Sequence, residues 1–351
     1  MRVVVVGATG NVGTSVVRAL AAEPGVDSIL GLARRLPSLD VPKTDWAAAD
    51  IVDADLTSLF RGADAVVHLA WLIQPSRDLA ALWRTNVHGS RCVFRAAAEA
   101  GVGAVVYASS VGAYSPGPKN RRVGESWPTD GVASSVYARH KAEVERILDR
   151  FEHERGDVRV ARLRPGLTFK REAATEVRRL FAGPFLPGSL LRPDRAPFVP
   201  DLPGLRVQGV HAEDVAQAYR LAVVTDVRGA FNVAAEPVLD PARLSALLDV
   251  RRLRIPSGLV RRLASVTWRL HLQPTPPGWL DLALAVPLMD TTRAREELGW
   301  EPRHRADDAL REVLEGIAEG ADAATPPLAR TSSGRARARE ILTGIGHRDG
   351  V

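Results

Sequence analysis

One cysteine, Cys92, is all that 351 residues contain. A single thiol excludes an intramolecular disulfide and any metal site built on several cysteines, and no other metal-ligand set is expected. It fits a reducing compartment best, so a cytoplasmic location is expected. Cys92 itself falls in a helical stretch and reads as a small buried apolar residue rather than a nucleophile. Long apolar runs are missing as well. None approaches the ~20 residues a membrane-spanning helix needs. The run Val3–Val6 is too short for a signal peptide and passes straight into a glycine loop. No internal repeat is visible. The net charge of +6 gathers mainly in Arg251–Arg269 and in the arginine-rich stretch after Ala329. Neither interleaves stacking aromatics with its basic residues, and helix-turn-helix, zinc-finger and RNA-binding signatures are lacking, so no nucleic-acid partner is expected.

What is present is alternation. The runs Val3–Val6, Ser28–Ala33, Ala65–Leu69, Ala104–Ala108 and Val158–Leu163 have the length and near-continuous hydrophobicity of fully buried strands. Between them, Val12–Ala22, Leu79–Ala100 and Tyr137–Glu154 show helical periodicity. The pattern predicts an α/β chain with a parallel sheet covered on both faces. Gly101 and Gly156 stand after the last two helices, where a left-handed residue is wanted. From Pro165 the character changes: proline and glycine are dense over Gly183–Gly204, where loops and short helices are expected. Arg206–Val210 and Ala230–Val233 read as strands around a helix over Glu213–Val224. Globular character ends near Ile317, and Ala323–Val351, rich in Ala, Arg, Pro, Gly and Ser, reads as a mobile tail.

The opening strand runs into Gly7-Ala8-Thr9-Gly10-Asn11-Val12-Gly13 and then a helix. Gly7 permits the tight turn, Gly10 lets backbone approach a pyrophosphate, and Gly13 lets the helix pack on the strand. The helix start offers unpaired N–H groups and a positive dipole end. Because the loop follows a strand and opens a helix, it reads as the dinucleotide loop of a Rossmann doubly wound sheet. Gly7, Thr9, Gly10, Asn11, Val12 and Gly13 are its candidate contacts. An Asp or Glu ending the second strand would hold a ribose 2′-hydroxyl. Here that strand ends Gly31-Leu32-Ala33-Arg34-Arg35, which suits a 2′-phosphate, so NADP(H) is favoured over NAD(H). The other reading of Arg34 and Arg35 is a solvated loop.

Tyr137-Ala138-Arg139-His140-Lys141 sets Tyr and Lys on one helical face, one turn apart. A tyrosine has an ordinary pKa near 10, and a nearby ammonium is the simplest way to make it usable near neutral pH. Ser109 and Ser110 end a buried strand at its carboxyl end, where open α/β sheets bind ligands. A hydroxyl there can polarise a substrate carbonyl.

In order and spacing these motifs resemble the extended short-chain dehydrogenase/reductase family, which contains the NAD-dependent epimerases and dehydratases. The resemblance reaches to about residue 318. It includes the glycine loop, Asp50-Ile51-x-Asp53, His68-Leu69-Ala70, Asn86-Val87-x-Gly89, Arg164-Pro165-Gly166, Val210-His211-x-x-Asp214, Phe231-Asn232-Val233 and Leu298-Gly299-Trp300-x-Pro302. It implies that Tyr137 is the general acid/base, that Lys141 lowers its pKa and binds the nicotinamide ribose, and that Ser110 bonds the reacting oxygen, with Ser109 structural. It also implies cofactor contacts at Asp50, Ile51, Leu69, Ala70, Asn86 and Pro165, and a homodimer through Leu79–Ala100 and Tyr137–Glu154. Asn86 and Asp214 have a plainer reading as helix caps, the better one for Asp214. His68 reads as a satisfied core histidine.

The chain departs from the family's sugar-nucleotide dehydratases, which carry an Asp-Glu pair after the active hydroxyl. Here Val111 and Gly112 stand there. An asparagine common after the Arg-Pro turn of nucleotide-sugar enzymes is replaced by Gly166-Leu167-Thr168-Phe169. Trp71, Leu72, Ile73, Ser110, Gly166 and the stretch Phe169–Pro200 are expected around a partly apolar pocket, though Trp71 reads equally as a core residue at a domain boundary. Ser257–Leu272 reads as a basic amphipathic helix, open either to an anionic surface or substrate phosphates, or to packing on the substrate domain with a solvated face. The expected division is a nucleotide-binding domain of residues 1–165 and 204–234, a smaller mixed substrate domain of 166–203 and 235–318, and a tail of 319–351. The expected activity is NAD(P)-dependent oxidation or reduction of a carbonyl/alcohol pair in a small molecule. A nucleotide-sugar epimerase with retained NAD and a non-catalytic NADP(H) sensor are the alternatives.

Overall fold

The computed structural model describes residues 1–73, 77–174, 177, 198–272, 275–321, 323, 325 and 327–328. Much of the expected loop region Gly183–Gly204 and nearly all of the tail lie outside them. At the centre is a seven-stranded, all-parallel sheet: β1 (Arg2–Val6), β2 (Ser28–Ala33), β3 (Thr44–Ala48), β4 (Ala65–His68), β5 (Ala104–Ala108), β6 (Arg159–Pro165) and β7 (Gly229–Val233). Their order across the sheet is β7-β6-β5-β4-β1-β2-β3. Between β1 and β4 the winding reverses. This is a Rossmann doubly wound α/β fold.

Strand β1 shows why the sheet is buried on both sides. With side chains alternating at period two, Val3 and Val5 enter one apolar cluster with Val16, Val17 and Leu20 of helix α1 (Asn11–Ala21). Val4 and Val6 enter a second cluster on the other face, with Val93 and Phe94. All four valines are buried, so past Arg2 the strand carries no polar residue on either face. Helices α2 (Leu56–Phe60), α3 (Leu79–Trp83), α4 (Ser90–Glu99) and α5 (Val136–Glu154) follow, and α6 (Ala212–Val224) packs beside α1.

Several sequence expectations are corrected. Leu79–Ala100 is not uniform: Arg84–Gly89 between α3 and α4 is a π-helical turn. Gly101 does take a left-handed φ of 73°. Gly156 does not; α5 ends at Arg155 with φ −127° and ψ 61°, and no left-handed residue follows. The strand expected over Arg206–Val210 is confined to Gly209–His211, which pairs with Leu167–Phe169. Asp214 does not cap α6; the His211 side chain does, accepting from the Glu213 N–H. Buried Asp214 instead accepts from the His304 N–H at 2.9 Å, and its backbone carbonyl accepts from Trp300 Nε1 at 2.7 Å. It therefore ties the chain from Trp300 to His304 to the start of α6. Thr325 and Leu328, in the expected mobile tail, are buried. Strand β3 was not foreseen, since Thr44-Asp45-Trp46-Ala47-Ala48 is an edge strand without a continuous apolar run.

The remaining helices are α7 (Pro241–Leu248), α8 (Ser257–Arg269), α9 (Gly278–Ala285), a turn at Thr292–Glu296, and α10 (Ala306–Glu319). No described helix is long and apolar enough to cross a membrane.

Candidate active site

All strands run in one direction, so their carboxyl ends share one edge of the sheet. The glycine loop follows β1, Arg34 and Arg35 follow β2, Asp50 and Ile51 lie past β3, Leu69 and Ala70 follow β4, Ser109 and Ser110 follow β5, and Gly166 follows β6. The edge opens into a cavity of about 380 Å³ beside the reversal of winding. Gly7, Gly10, Asn11, Val12, Gly13, Leu69, Trp71, Ser110, Tyr137, Lys141, Pro165 and Gly166 all line it. Thr9 is buried behind the loop, and Arg34 and Arg35 are exposed beyond the cavity wall.

The loop is shaped for a close neighbour. A Cβ on Gly7 would meet Ala70 N at 2.6 Å, and one on Gly13 would meet Gly7 O at 2.3 Å. At Gly10 a Cβ would find only Gly7 O, at 3.6 Å, so that position faces open space. Helix α1 has no side-chain cap and no acidic residue in its first turn. Asn11 Oδ1, buried at this helix start, has no hydrogen-bond partner. An uncapped helix terminus with an orphan amide oxygen beside it, facing a cavity, fits a dinucleotide pyrophosphate and ribose.

Helix α5 carries Tyr137 and Lys141. Its cap is Ser135, whose side chain accepts from the Ala138 N–H and starts the helix one residue before Tyr137. Buried Lys141 donates to Ala108 O at 2.6 Å and sits 3.5 Å over the Trp71 ring. Burial holds its pKa well below the ordinary lysine value, with Glu145 pulling the other way. The Tyr137 ring packs between Trp71 (5.9 Å) and Trp279 (5.0 Å). Burial pushes its pKa up to about 12, and a hydrogen bond with Ser110 opposes the rise. In this arrangement the Lys141 ammonium is engaged by Ala108 O and the Trp71 ring and lies 5.9 Å from the Tyr137 ring. Ser110 Oγ also accepts from the Gly112 N–H at 3.0 Å.

Asn86 is neither a helix cap nor in the cavity. The π-helical turn aims it at the chain after β4, where its amide accepts from Leu72 N and donates to Leu72 O, both at 2.7 Å. That grip fixes the Trp71–Ile73 segment against Tyr137. His68 is fully buried, 2.9 Å from Ser90 Oγ, and burial lowers its pKa to about 3. Ser90 itself donates to Asn86 O, so the His68 proton lies on Nε2. Asp50 accepts from Val52 N, and Ile51 packs where a Cβ on Gly89 would meet it at 2.5 Å.

Three contributors went unread in the sequence. Glu145, one turn beyond Lys141, is fully buried and accepts from Ser109 (2.5 Å), from Arg162 (2.9 Å), and from Arg164 (2.9 and 3.0 Å). Burial would raise its pKa, but Arg164 and Arg162 more than offset this and hold it at about 2. Its four-residue spacing from Lys141 was the available signal. Gly112 gives room to the tyrosine: a Cβ there would lie 2.7 Å from Tyr137 Cε1. Trp279, on α9, reaches the site from far along the chain, and nothing local marks it.

Comparison with known proteins agrees with this geometry. The model of the NAD dependent epimerase/dehydratase family matches residues 3–234, well over half of the chain. The chain belongs to that family. An uncharacterized Mycobacterium tuberculosis protein is 29% identical to this epimerase/dehydratase family member over 313 residues, which is 88% of the chain but 29% of that longer relative. The chain thus spans under a third of the length of the mycobacterial relative. A putative dihydroflavonol 4-reductase from Synechocystis is 34% identical over 130 residues, covering 35% of the chain and 36% of that protein. Among solved structures, a UDP-glucose-4-epimerase from Stenotrophomonas maltophila with bound NAD superposes with a TM-score of 0.69 at 20% identity, over 91% of this chain and 98% of that one. At that identity the likeness speaks for the fold.

Proposed function

We propose that this family member is an NAD(P)-dependent oxidoreductase that interconverts a carbonyl and an alcohol on a small, partly apolar molecule. The observation that carries the reading is the meeting of Ser110, Tyr137 and Lys141 with the glycine loop around one cavity. When bound, the nicotinamide supplies or accepts the hydride. Gly7, Gly10, Gly13 and the α1 terminus hold the pyrophosphate, with Thr9, Asn11 and Val12 completing the loop. Asp50 and Ile51 flank the adenine end, and Leu69, Ala70 and Pro165 flank the dinucleotide nearer the nicotinamide. Lys141, whose ammonium lines the cavity and bonds Ala108 O, would hold the ribose hydroxyls of the bound cofactor. Ser110 donates a hydrogen bond to the reacting oxygen, and Tyr137 protonates it. A phenol held at about 12 stays protonated at neutral pH, which suits carbonyl reduction. Val111 and Gly112, in place of an Asp-Glu pair, leave water elimination without its acid and base. Trp71, Ile73, Trp279, Leu282 and Val286 make the wall apolar and, with Gly166, bound the substrate.

Arg34 and Arg35, exposed past β2 where a carboxylate would select NAD(H), favour NADP(H). Titration with NADPH and NADH is the test. Tighter, exchangeable NADPH binding, weakened roughly tenfold or more by Arg34→Ala with Arg35→Ala while NADH binding holds, is the expected result. Retained NAD⁺ with no net consumption during turnover would make a nucleotide-sugar epimerase the better reading. Leu79 and Trp83, half exposed on α3, suit a homodimer formed through α3–α5.

A further inference from the structure

Helix α8 is mounted with its apolar side outward. At about 100° per residue, Leu259, Leu263, Val266 and Leu270 fall within an arc of about 60° along one side, and they are 59%, 63%, 52% and 62% exposed. The opposite side holds the helix to the protein. There Arg261 pairs with Asp281 of α9 at 2.7 Å, and the Trp268 ring lies under the Arg77 guanidinium at 3.6 Å. No residue of α8 is buried. An apolar stripe normally turns inward, since exposing it forfeits roughly 1.5–3 kcal/mol per large side chain. Here polar contacts secure the inner side while leucines face away. Leu253 and Leu272, before and after α8 in the chain, are also 48% and 55% exposed.

The charge around the stripe says what covers it. From residue 250 to residue 280 there is no Asp or Glu, while Arg251, Arg252, Arg254, Arg261, Arg262 and Arg269 all fall there. Arg262 and Arg269 project beside the stripe, some 80° from its centre, and both are exposed. An apolar stripe bordered by arginine, on a helix too short to span, is the form of a segment lying in the plane of an anionic membrane surface. A protein partner would have to be rich in acid around an apolar groove; a bilayer with anionic headgroups offers both features at once.

We propose that α8 docks the protein on an anionic lipid surface, with Leu259, Leu263, Val266 and Leu270 entering the headgroup region and the flanking arginines meeting lipid phosphates. The docked helix is coupled to the cavity, because its two anchors are α9, which carries Trp279 and Leu282, and the chain just after Trp71 and Ile73. Docking itself stands on the helix and not on the catalytic reading, and its test needs no turnover.

The experiment is co-sedimentation of the full chain with vesicles of phosphatidylcholine alone and of phosphatidylcholine doped with phosphatidylglycerol. Binding to the doped vesicles at least about tenfold stronger than to the neutral ones, and weakening as salt rises, is expected. Leu259→Glu with Leu263→Glu should abolish it. Arg262→Ala and Arg269→Ala should each weaken it about fivefold. These positions are exposed, so a thermal melt should show all variants folded. Absence of vesicle binding, or equal binding to neutral vesicles, would overturn the proposal. So would a dimer that the two glutamates split, since a second copy would then own the stripe. Slow amide exchange along α8 in the monomer without vesicles would assign the stripe to another segment of the chain, and would overturn it too.

Discussion

Helices α5 and α8 are both amphipathic, yet they are used in opposite senses. Helix α5 buries nine of its nineteen residues, presses Val144, Ile147 and Leu148 into the sheet, and has His140, Lys141 and Glu145 at its buried polar positions. Helix α8 buries none and shows its leucines to the outside. The same periodicity thus supports a rigid mount for Tyr137 and Lys141 in one place and an outward apolar face in the other. What separates them is the partner: the sheet offers α5 a continuous apolar surface, whereas α8 is held by an ion pair and a stacked guanidinium.

The widest gap between the two helices should appear in catalysis. Tyr137→Phe on α5 should lower kcat by roughly 10²–10⁴ and leave cofactor affinity nearly intact, read by steady-state kinetics beside a binding titration. Strong residual turnover would remove Tyr137 from the chemistry.

Next comes Glu145. Glu145→Ala leaves the buried Arg164 guanidinium without its carboxylate, while Arg162 keeps Asp149 and Glu152, and should cost about 3–5 kcal/mol in denaturant unfolding. Its pKa is about 2 in the fold against an ordinary 4.5. A depressed carboxylate gives its stability in full above the unfolded value, and that stability is lost as pH falls through the folded one. About 3 kcal/mol should therefore disappear between pH 4.5 and 2. Glu145→Gln should flatten that part of the curve; an unchanged acid limb would place the acid sensitivity elsewhere.

Leu148→Ala, at a fully buried α5 position, should cost about 2–5 kcal/mol. Gly112→Ala sits lower, at about 1–3 kcal/mol of overpacking, and because the added methyl meets Tyr137 it should depress kcat more than melting temperature. The smallest effect belongs to α8: Leu263→Ala should change stability by no more than about 0.5 kcal/mol. A loss as large as that of Leu148→Ala would show that the α8 stripe is covered and would erase the contrast.

Much of the site was legible because its parts are local. The glycine loop, the Tyr137–Lys141 spacing and the strand ending at Ser110 each lie within a dozen residues, and their meeting follows from a parallel sheet with one carboxyl edge. Asp214 was misread as a cap because a carboxylate at a helix start has two uses, and only the return of His304 and Trp300 shows which one holds. The grip of Asn86 on Leu72 was not legible, because the π-helical turn that aims its side chain there leaves no mark in a pattern of apolar spacing. Trp279 could not be found at all, since it meets Tyr137 across 142 positions of the chain.

The sequence alone determined the parallel sheet, the glycine loop and the one-turn spacing of Tyr137 and Lys141, because each is written in short-range periodicity or spacing that backbone geometry converts directly into structure. The tertiary structure alone decided the burial of Tyr137, the buried Glu145–Arg162–Arg164 cluster, and the outward face of α8. Burial and partnership are properties of what surrounds a residue, and those surroundings are assembled from segments far apart in the chain.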